Sequence, residues 1–329
     1  MEWKLEKLKL ELKYVWKISR NTSEYKENFI VSCQLNGAIG KGEVAPNIRY
    51  NETPENIAEA FTKAEQGLKD CPTEPAAFEK YLLDLKLPNA LRFGIESAFV
   101  HAHCLQAGID LFEFLELEKP KQVATCYTLP IMEPSAIAGF YKQYGLNRFH
   151  FLKVKINDAA AIDMVDALCK LGNHPIMIDA NEAWKDVDEL IRFLPKLQAY
   201  PIEFIEQPLP AAEKAAYEYL KAKSYLPIMA DESVLDQPNF DELEIQFHGI
   251  NMKLMKAGGY LNGIRILKEA KARGLKTMIG CMVETTLGIS SAWNLGSLVQ
   301  YADLDGCLIV GNDPFHLLKE ENGIFYLNK

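Results

Sequence analysis

The 329-residue chain has no Cys-x-x-Cys pair. Its cysteines, Cys33, Cys71, Cys104, Cys126, Cys169, Cys281 and Cys307, are odd in number and scattered. That pattern argues against a disulfide framework or a thiolate zinc site, and for a reducing compartment. No stretch reaches the roughly 18 apolar residues of a membrane helix. The opening Met1-Glu2-Trp3-Lys4-Leu5-Glu6-Lys7 has no apolar core and does not read as a signal peptide. A cytoplasmic protein with no membrane partner is expected. Basic residues are in deficit, 36 Lys+Arg against 45 Asp+Glu, and the net charge of −9 repels phosphate backbones, so no nucleic-acid partner is expected. Neither Gly-x-Gly-x-x-Gly nor Gly-x-x-x-x-Gly-Lys-Ser/Thr occurs, which leaves an open nucleotide-binding sheet without its phosphate turn. Apolar residues, at 48%, are plentiful enough for a large core and exclude a disordered chain.

Two rhythms divide the chain. Leu8, Leu10, Leu12, Tyr14 and Trp16 alternate with mostly charged or polar neighbours, the period of a half-buried strand. A second strand near Asn28–Leu35, the turn residues Asn36-Gly37 and a returning Lys41–Ala45 predict a hairpin. Thr53-Pro54 supplies an N-cap and a first-turn proline. Asn89–Ala107 reads as a buried helix stopped by Gly108. Residues 1–115 are thus an expected α+β module. After Lys121, short apolar runs alternate with helical stretches: Val123–Leu129, Phe149–Ile156, Pro175–Asp179, Phe204–Glu206, Pro227–Asp231, Gly249–Lys253, Thr277–Cys281 and Leu304–Val310. Helices are expected at Asp158–Leu171, Val187–Leu197, Ala211–Lys223 and Asn262–Arg273. Repeated βα units predict a parallel sheet, and eight in a row a (β/α)8 barrel over 116–310. The tail 311–329, with a strand at Gly323–Leu327, is expected to return to the first module.

Ionisable residues recur at the ends of consecutive runs: Lys155, Asp179, Glu206, Asp231 and Lys253, spaced by 24, 27, 25 and 22 residues. A charge that recurs once per βα unit, always at the same end, falls on one rim, where barrels build active sites. Three converging carboxylates without histidine or cysteine are hard oxygen ligands, suited to Mg²⁺ or Mn²⁺. Lys153 and Lys155, two apart on a strand, face the same way. Each is expected to depress the other's pKa. Lys253, four units round an eightfold ring, lies opposite Lys155. Two lysines facing each other over a metal-held carboxylate can remove an α-proton from one side and return it on the other, through a metal-stabilised enediolate.

Lys153-Val154-Lys155, Ile178-Asp179-Ala180-Asn181, Ile205-Glu206-Gln207-Pro208, Ala230-Asp231-Glu232-Ser233 and the run from Asn251 to Gly259 together resemble the enolase superfamily and, within it, the muconate-lactonizing subgroup. The resemblance covers essentially the whole chain. It implies that Asp179, Glu206 and Asp231 hold one Mg²⁺ per subunit and that Lys155 and Lys253 are the acid/base pair. It also implies that Lys153 touches the substrate carboxylate and that a capping domain is completed by the tail. Asp303-Leu304-Asp305 resembles the pair that binds the substrate ammonium in the subgroup's dipeptide epimerases. An acidic pair suits an α-amino group and tells against the all-anionic substrates of o-succinylbenzoate synthase or muconate cycloisomerase.

Thr128, Cys281 and Val283 are placed by position to line the pocket. Arg20 or Arg49 is a candidate for the substrate's distal end. If such an arginine meets the second residue's side chain, L-Ala-D/L-Glu is favoured; if the pocket is small and apolar, with Met282 or Ile39 nearby, Ala-Ala or Ala-hydrophobic dipeptides are favoured. The expectation is a broad Ala-Xaa specificity that ranks the latter above L-Ala-D/L-Glu. A homo-oligomer is expected. The rival classes are a lyase or cycloisomerase and an inactive binding relative; the latter predicts a lost lysine or ligand, and none is lost. His101 and His103 are two apart on a helix, do not share a face, and carry no site. Lys256 receives no role.

Overall fold

The structure, a computed structural model, describes residues 1–19, 21–157 and 162–328. The alternating N-terminal segment is a strand, β1 (Glu2–Lys17), paired antiparallel with β2 (Thr22–Leu35), with Leu10 opposite Lys26. The predicted hairpin forms: Asn36 and Gly37, both at positive φ, turn the chain into β3 (Ala38–Val44). Three helices follow, α1 (Pro54–Lys69), α2 (Pro75–Asp84) and α3 (Asn89–Ala107). Thr53 caps α1 in a reciprocal box with Asn56, and Gly108 ends α3 in the left-handed conformation. α3 lies against β3 at backbone contact. A methyl group at Gly42 would sit 2.1 Å from Gly94 O, and one at Gly40 2.1 Å from Ala98 O. Those glycines set how closely helix and sheet approach.

A two-residue strand, β4 (Val123–Ala124), precedes the barrel. The barrel strands are β5 (Tyr127–Leu129), β6 (Leu152–Lys155), β7 (Ile176–Asp179), β8 (Ile202–Glu206), β9 (Ile228–Ala230), β10 (Gly249–Lys253), β11 (Lys276–Gly280) and β12 (Tyr301–Asp303). They form one eight-stranded sheet in chain order, with each neighbouring pair parallel. Cys126 N–H donates to Ala302 O at 3.1 Å and brings the first and last strands together. Met177, Phe204, Met229, Met278 and Cys126 fill the barrel's interior as a separate apolar cluster. Asp179 and Glu206 stand two residues further along the same strands as Met177 and Phe204, and Asp231, the residue after β9, two beyond Met229. The period of two therefore points them inward, one layer above that apolar floor.

Two expectations need correction. The run Val123–Leu129 is two strands, because Thr125 breaks out of line: its N–H donates to Gly323 O and its hydroxyl accepts from Leu304 N–H, each at 2.9 Å. The eighth strand is Tyr301–Asp303, not Leu304–Val310. The apolar character of 304–310 comes from a buried turn, in which Asp305 accepts from Thr128 N–H and Gly306 packs on Met282 O. The opening residues of the tail touch the first module: Asn312 Nδ2 donates to Lys9 O, Asn312 Oδ1 accepts from Glu11 N–H, and Phe315 lies under the Lys41 ammonium. β13 (Leu318–Glu321) and β14 (Ile324–Leu327) pair with β4 at the barrel's foot, and Trp293 Nε1 donates to Phe325 O at 3.0 Å. Contact with β1 comes earlier, through Leu12 opposite Val310 and Gly311 N–H on Glu11 O.

Helices outside the barrel are close to expectation. Lys214–Lys223 and Tyr260–Ala272 form within a few residues of their predicted ends. Val187–Phe193 gives way to a 3₁₀ turn that contains Pro195. The helix expected over 158–171 is present as Ile162–Cys169; residues 158–161 lie outside the described residues.

Candidate active site

The inward-pointing layer above the floor is almost wholly ionisable. Asp179, Glu206 and Asp231 are essentially inaccessible and bring a carboxylate oxygen each within 4.8 Å of the others. Register makes this possible: Lys155 stands beside Asp179, and Asp179 beside Glu206. Burial and the charges of Asp179 and Asp231 push the Glu206 carboxyl up to about 7, the Lys153 ammonium offsetting part of this. Burial works the same way on Asp179, but the ammonium groups of Lys153 and Lys155 outweigh it and hold its pKa low. Three buried acids around one point demand compensating charge. Among the described residues Glu206 Oε2 accepts no hydrogen bond, and the Lys153 ammonium lies 2.8 Å from it. An all-oxygen, trianionic cradle fits a hard divalent cation.

Lys155 Nζ lies 2.5 Å from Asp179 Oδ2, and Lys253 Nζ 2.9 Å from Asp231 Oδ2. Their strands, β6 and β10, are four apart in an eight-stranded ring, so the two amines rise from opposite walls. Both line a cavity of about 810 Å³ between the barrel mouth and the first module, together with Thr128, Cys281, Val283 and the Asp303–Asp305 pair.

Lys153 departs from expectation. It does not open into that cavity but lies buried under it, 2.9 Å from Asp179, 2.8 Å from Glu206 and 2.6 Å from Asp303. Burial alone would lower its pKa; the three acids more than reverse this and raise it, so the expected mutual depression with Lys155 does not hold for Lys153.

Asp303 Oδ1 accepts from Thr128 Oγ at 3.3 Å and Cys126 Sγ at 3.2 Å. Asp305 takes Thr128 N–H at 2.5 Å. Burial and the neighbouring Asp303 charge push the Asp305 carboxyl up to about 7. The Cys281 thiol is driven up by burial and by Asp303, which makes it a packed wall rather than a nucleophile.

Arg49 is already engaged: its guanidinium forks onto Glu182 with two 2.8 Å bonds, and Glu182 also takes Ala211 N–H. It is not free for a substrate's distal end. Arg20 lies outside the described residues. Met282 lines the cavity, but Ile39 does not; it is exposed on β3. His101 bonds Lys41 O and Tyr260 OH, while His103 stacks on Phe99, so the two serve separate packing roles.

Sequence reasoning missed the residues that hold the acids in place. Asn251 Nδ2 donates to Glu206 Oε1 at 2.8 Å, and a side chain at Gly280 would collide with it. Gln207 Oε1 accepts from Asp231 N–H and Ser233 N–H. Lys256 Nζ sits 2.6 Å from Asp231 Oδ1. Asn251 was legible in principle, since it stands two residues before Lys253 as Lys153 does before Lys155. From the first module, Asn28 Nδ2 donates to Val283 O at 2.9 Å and to Glu43 Oε1 at 2.8 Å, and Glu43 takes the Thr285 and Gly288 N–H groups. That clamp fixes the pocket wall.

A family model described as "Enolase C-terminal domain-like" matches residues 136–317. A protein of Maribacter sp. named L-Ala-D/L-amino acid epimerase is 32% identical over 317 residues, covering 95% of this chain and 92% of that protein. This chain belongs to the enolase superfamily, among its dipeptide epimerases. It is therefore an isomerase. Two solved structures of this superfamily show how widely the likeness extends. The substrate-liganded L-Ala-D/L-Glu epimerase from Bacillus subtilis superposes with a TM-score of 0.92 at 25% identity, covering 100% of this chain and 96% of that one. The Enterococcus faecalis dipeptide epimerase, complexed with Mg and L-Leu-L-Tyr, gives 0.89 at 26% identity, covering 100% and 97%. Among the described residues no helix is long and apolar enough to cross a membrane.

Proposed function

We propose that this enolase-superfamily epimerase inverts the α-carbon of the C-terminal residue of Ala-Xaa dipeptides by a 1,1-proton transfer between Lys155 and Lys253. One observation carries the reading: the two amines rise from opposite walls of one cavity, above Asp179, Glu206 and Asp231. Those three acids would hold the cation, which we take to be Mg²⁺, as in the complex named above. When bound, it supplies the positive charge that a substrate carboxylate needs while its α-carbon is deprotonated. Lys153 neutralises the acids from below. Lys155 takes or gives the α-proton on one face and Lys253 on the other. Asp303 and Asp305 receive the dipeptide's ammonium, with Thr128 orienting both acids and Cys281 and Val283 forming the wall beside them.

The test is turnover of Ala-Xaa dipeptides in D₂O with Mg²⁺. Deuterium enters the C-terminal α-position with inversion. Lys155→Ala and Lys253→Ala each lower epimerisation by about 10²–10⁴-fold, the usual contribution of general acid–base catalysis. Each variant still exchanges the α-proton of one stereoisomer, and of opposite ones. Loss of exchange from both stereoisomers in both variants would refute the two-base assignment.

A further inference from the structure

Two buried acids stand behind the cavity wall formed by Cys281, Met282 and Val283, which lies between β11 and the helix Thr286–Trp293. Glu43 comes from β3, in the first module. It accepts from Asn28 Nδ2 at 2.8 Å, from Thr285 Oγ at 2.6 Å, and from the Thr285 and Gly288 N–H groups, each at 3.0 Å. One module thus caps a helix of the other, and a helix N-terminus favours the negative charge of its cap. Glu284 takes a single donor among the described residues, Met282 N–H at 2.7 Å. The two carboxylates share the space that Gly288 leaves: Glu43 Oε2 and Glu284 Oε2 both lie within 3.0 Å of where its Cβ would stand. Two buried charges there would repel each other, so one acid keeps its proton. The donors decide which. Burial and the Glu43 charge push the Glu284 carboxyl up to about 8, against Met282 N–H and the Lys253 ammonium on β10. Burial raises Glu43 as well, and its donors on Thr285, Asn28 and Gly288 pull it back. The Cys281 and Cys307 thiols also face Glu284, both driven well up by burial. Asp313 accepts from Thr286 N–H at 2.8 Å at the same helix start.

From this geometry we infer that Glu43 and Glu284 are positioning residues that hold one proton between them: Glu43 is ionised as the helix cap, Glu284 is neutral, and together they lock the Cys281–Val283 wall to the first module. The wall bears on binding through two contacts. Asn28, the partner of Glu43, grips Val283 O, and Gly306, next to Asp305, packs on Met282 O. Ionising Glu284 sets two buried charges against each other at that joint. The wall then loosens, and substrate binding weakens as pH rises through about 8. This kinetic consequence rests on the dipeptide reading; the shared proton does not.

Infrared difference spectra test the proton directly. Native protein minus Glu284→Gln should show a protonated-carboxyl band at pH 7 that is gone well above pH 8. In Glu43→Gln, which removes the like charge, the Glu284 band should vanish at lower pH. Absence of a Glu284-dependent band at pH 7, or a midpoint untouched by Glu43→Gln, would overturn the assignment. The kinetic arm measures KM of the Mg²⁺-loaded enzyme for an Ala-Xaa dipeptide at pH 7 and pH 9. The dipeptide's own amine titrates in this range but acts on both enzymes alike. The readout is therefore the KM of the native enzyme divided by that of Glu284→Gln, whose amide stays neutral. That quotient should grow by about 10-fold, as the neutral fraction of Glu284 falls across a midpoint near 8, while the corresponding kcat quotient stays level. A KM quotient independent of pH would sink the positioning role. Absence of exchange with every dipeptide would remove the dipeptide reading and leave the infrared result to decide the shared proton.

Discussion

The acids at the barrel mouth owe their geometry to neighbours that carry no charge or carry it out of reach of solvent. Asn251 is the clearest case: its amide holds Glu206 Oε1 at 2.8 Å, and Gly280 leaves room for it. Groups that orient metal-holding carboxylates typically contribute 10–100-fold in affinity. Asn251→Leu should therefore weaken Mg²⁺ binding by about that factor in titration calorimetry on the apo protein. Unchanged Mg²⁺ affinity would mean that Glu206 holds its position without it. Two further residues record the local demands of the site in their backbones. Asn181, just beyond Asp179, has φ of 44°, and Gln207, next after Glu206, has φ of 37°. Non-glycine residues in this region are strained, and such strain concentrates where function fixes the chain path. The motif Ile205-Glu206-Gln207-Pro208 was visible in the sequence. That its glutamine would bend left-handed and bind Asp231 N–H was not, because the partner lies 24 residues away.

Elements were legible wherever their own residues decide them. The N-cap at Thr53, the helix Asn89–Ala107 with its Gly108 stop, and β10 at Gly249–Lys253 all form where propensity and capping place them. The failures are at sites where tertiary contacts override an apolar run. Leu304–Val310 looks like a strand because it is buried, yet its burial serves a turn that delivers Asp305 to Thr128. Packing also explains the glycines of β3. Gly42→Ala places a methyl 2.1 Å from Gly94 O, a backbone atom that cannot rotate away. Overpacking of this kind costs about 1–3 kcal/mol. Gly42→Ala should lower the urea midpoint accordingly, whereas Gly139→Ala, with nothing within 4 Å of the added methyl, should not.

Across the molecule, the two modules are joined by buried polar groups rather than by apolar contact alone. Arg92 of α3 donates to Ala257 O at 3.0 Å and Gly258 O at 3.1 Å, and Glu96 of the same helix accepts from Tyr260 N–H. Burial pushes the Glu96 carboxyl up to about 8; Glu79 adds to this, and Arg92 and the backbone donors oppose it. In the unfolded chain it titrates near 4.3. Between those values the folded protein keeps a proton that the unfolded chain releases, so stability from this group falls as pH rises from about 4.3 through 8. Glu96→Gln, which retains an acceptor but cannot ionise, should flatten the loss of stability between pH 6 and pH 9 in urea denaturation. An equally steep loss in the variant would assign it to other groups.

The chemistry was written into the chain itself. Lysines and acids at the ends of successive apolar runs, one per βα unit, specify a charged rim because a parallel barrel places every strand's C-terminal end on the same side. The three-dimensional fold alone decided what those charges do to each other. Whether Lys153 opens to the cavity or lies beneath the acids, and whether Arg49 is free or engaged, depend on distances between residues far apart in sequence. Coulomb energy and desolvation follow those distances and not the order of residues along the chain.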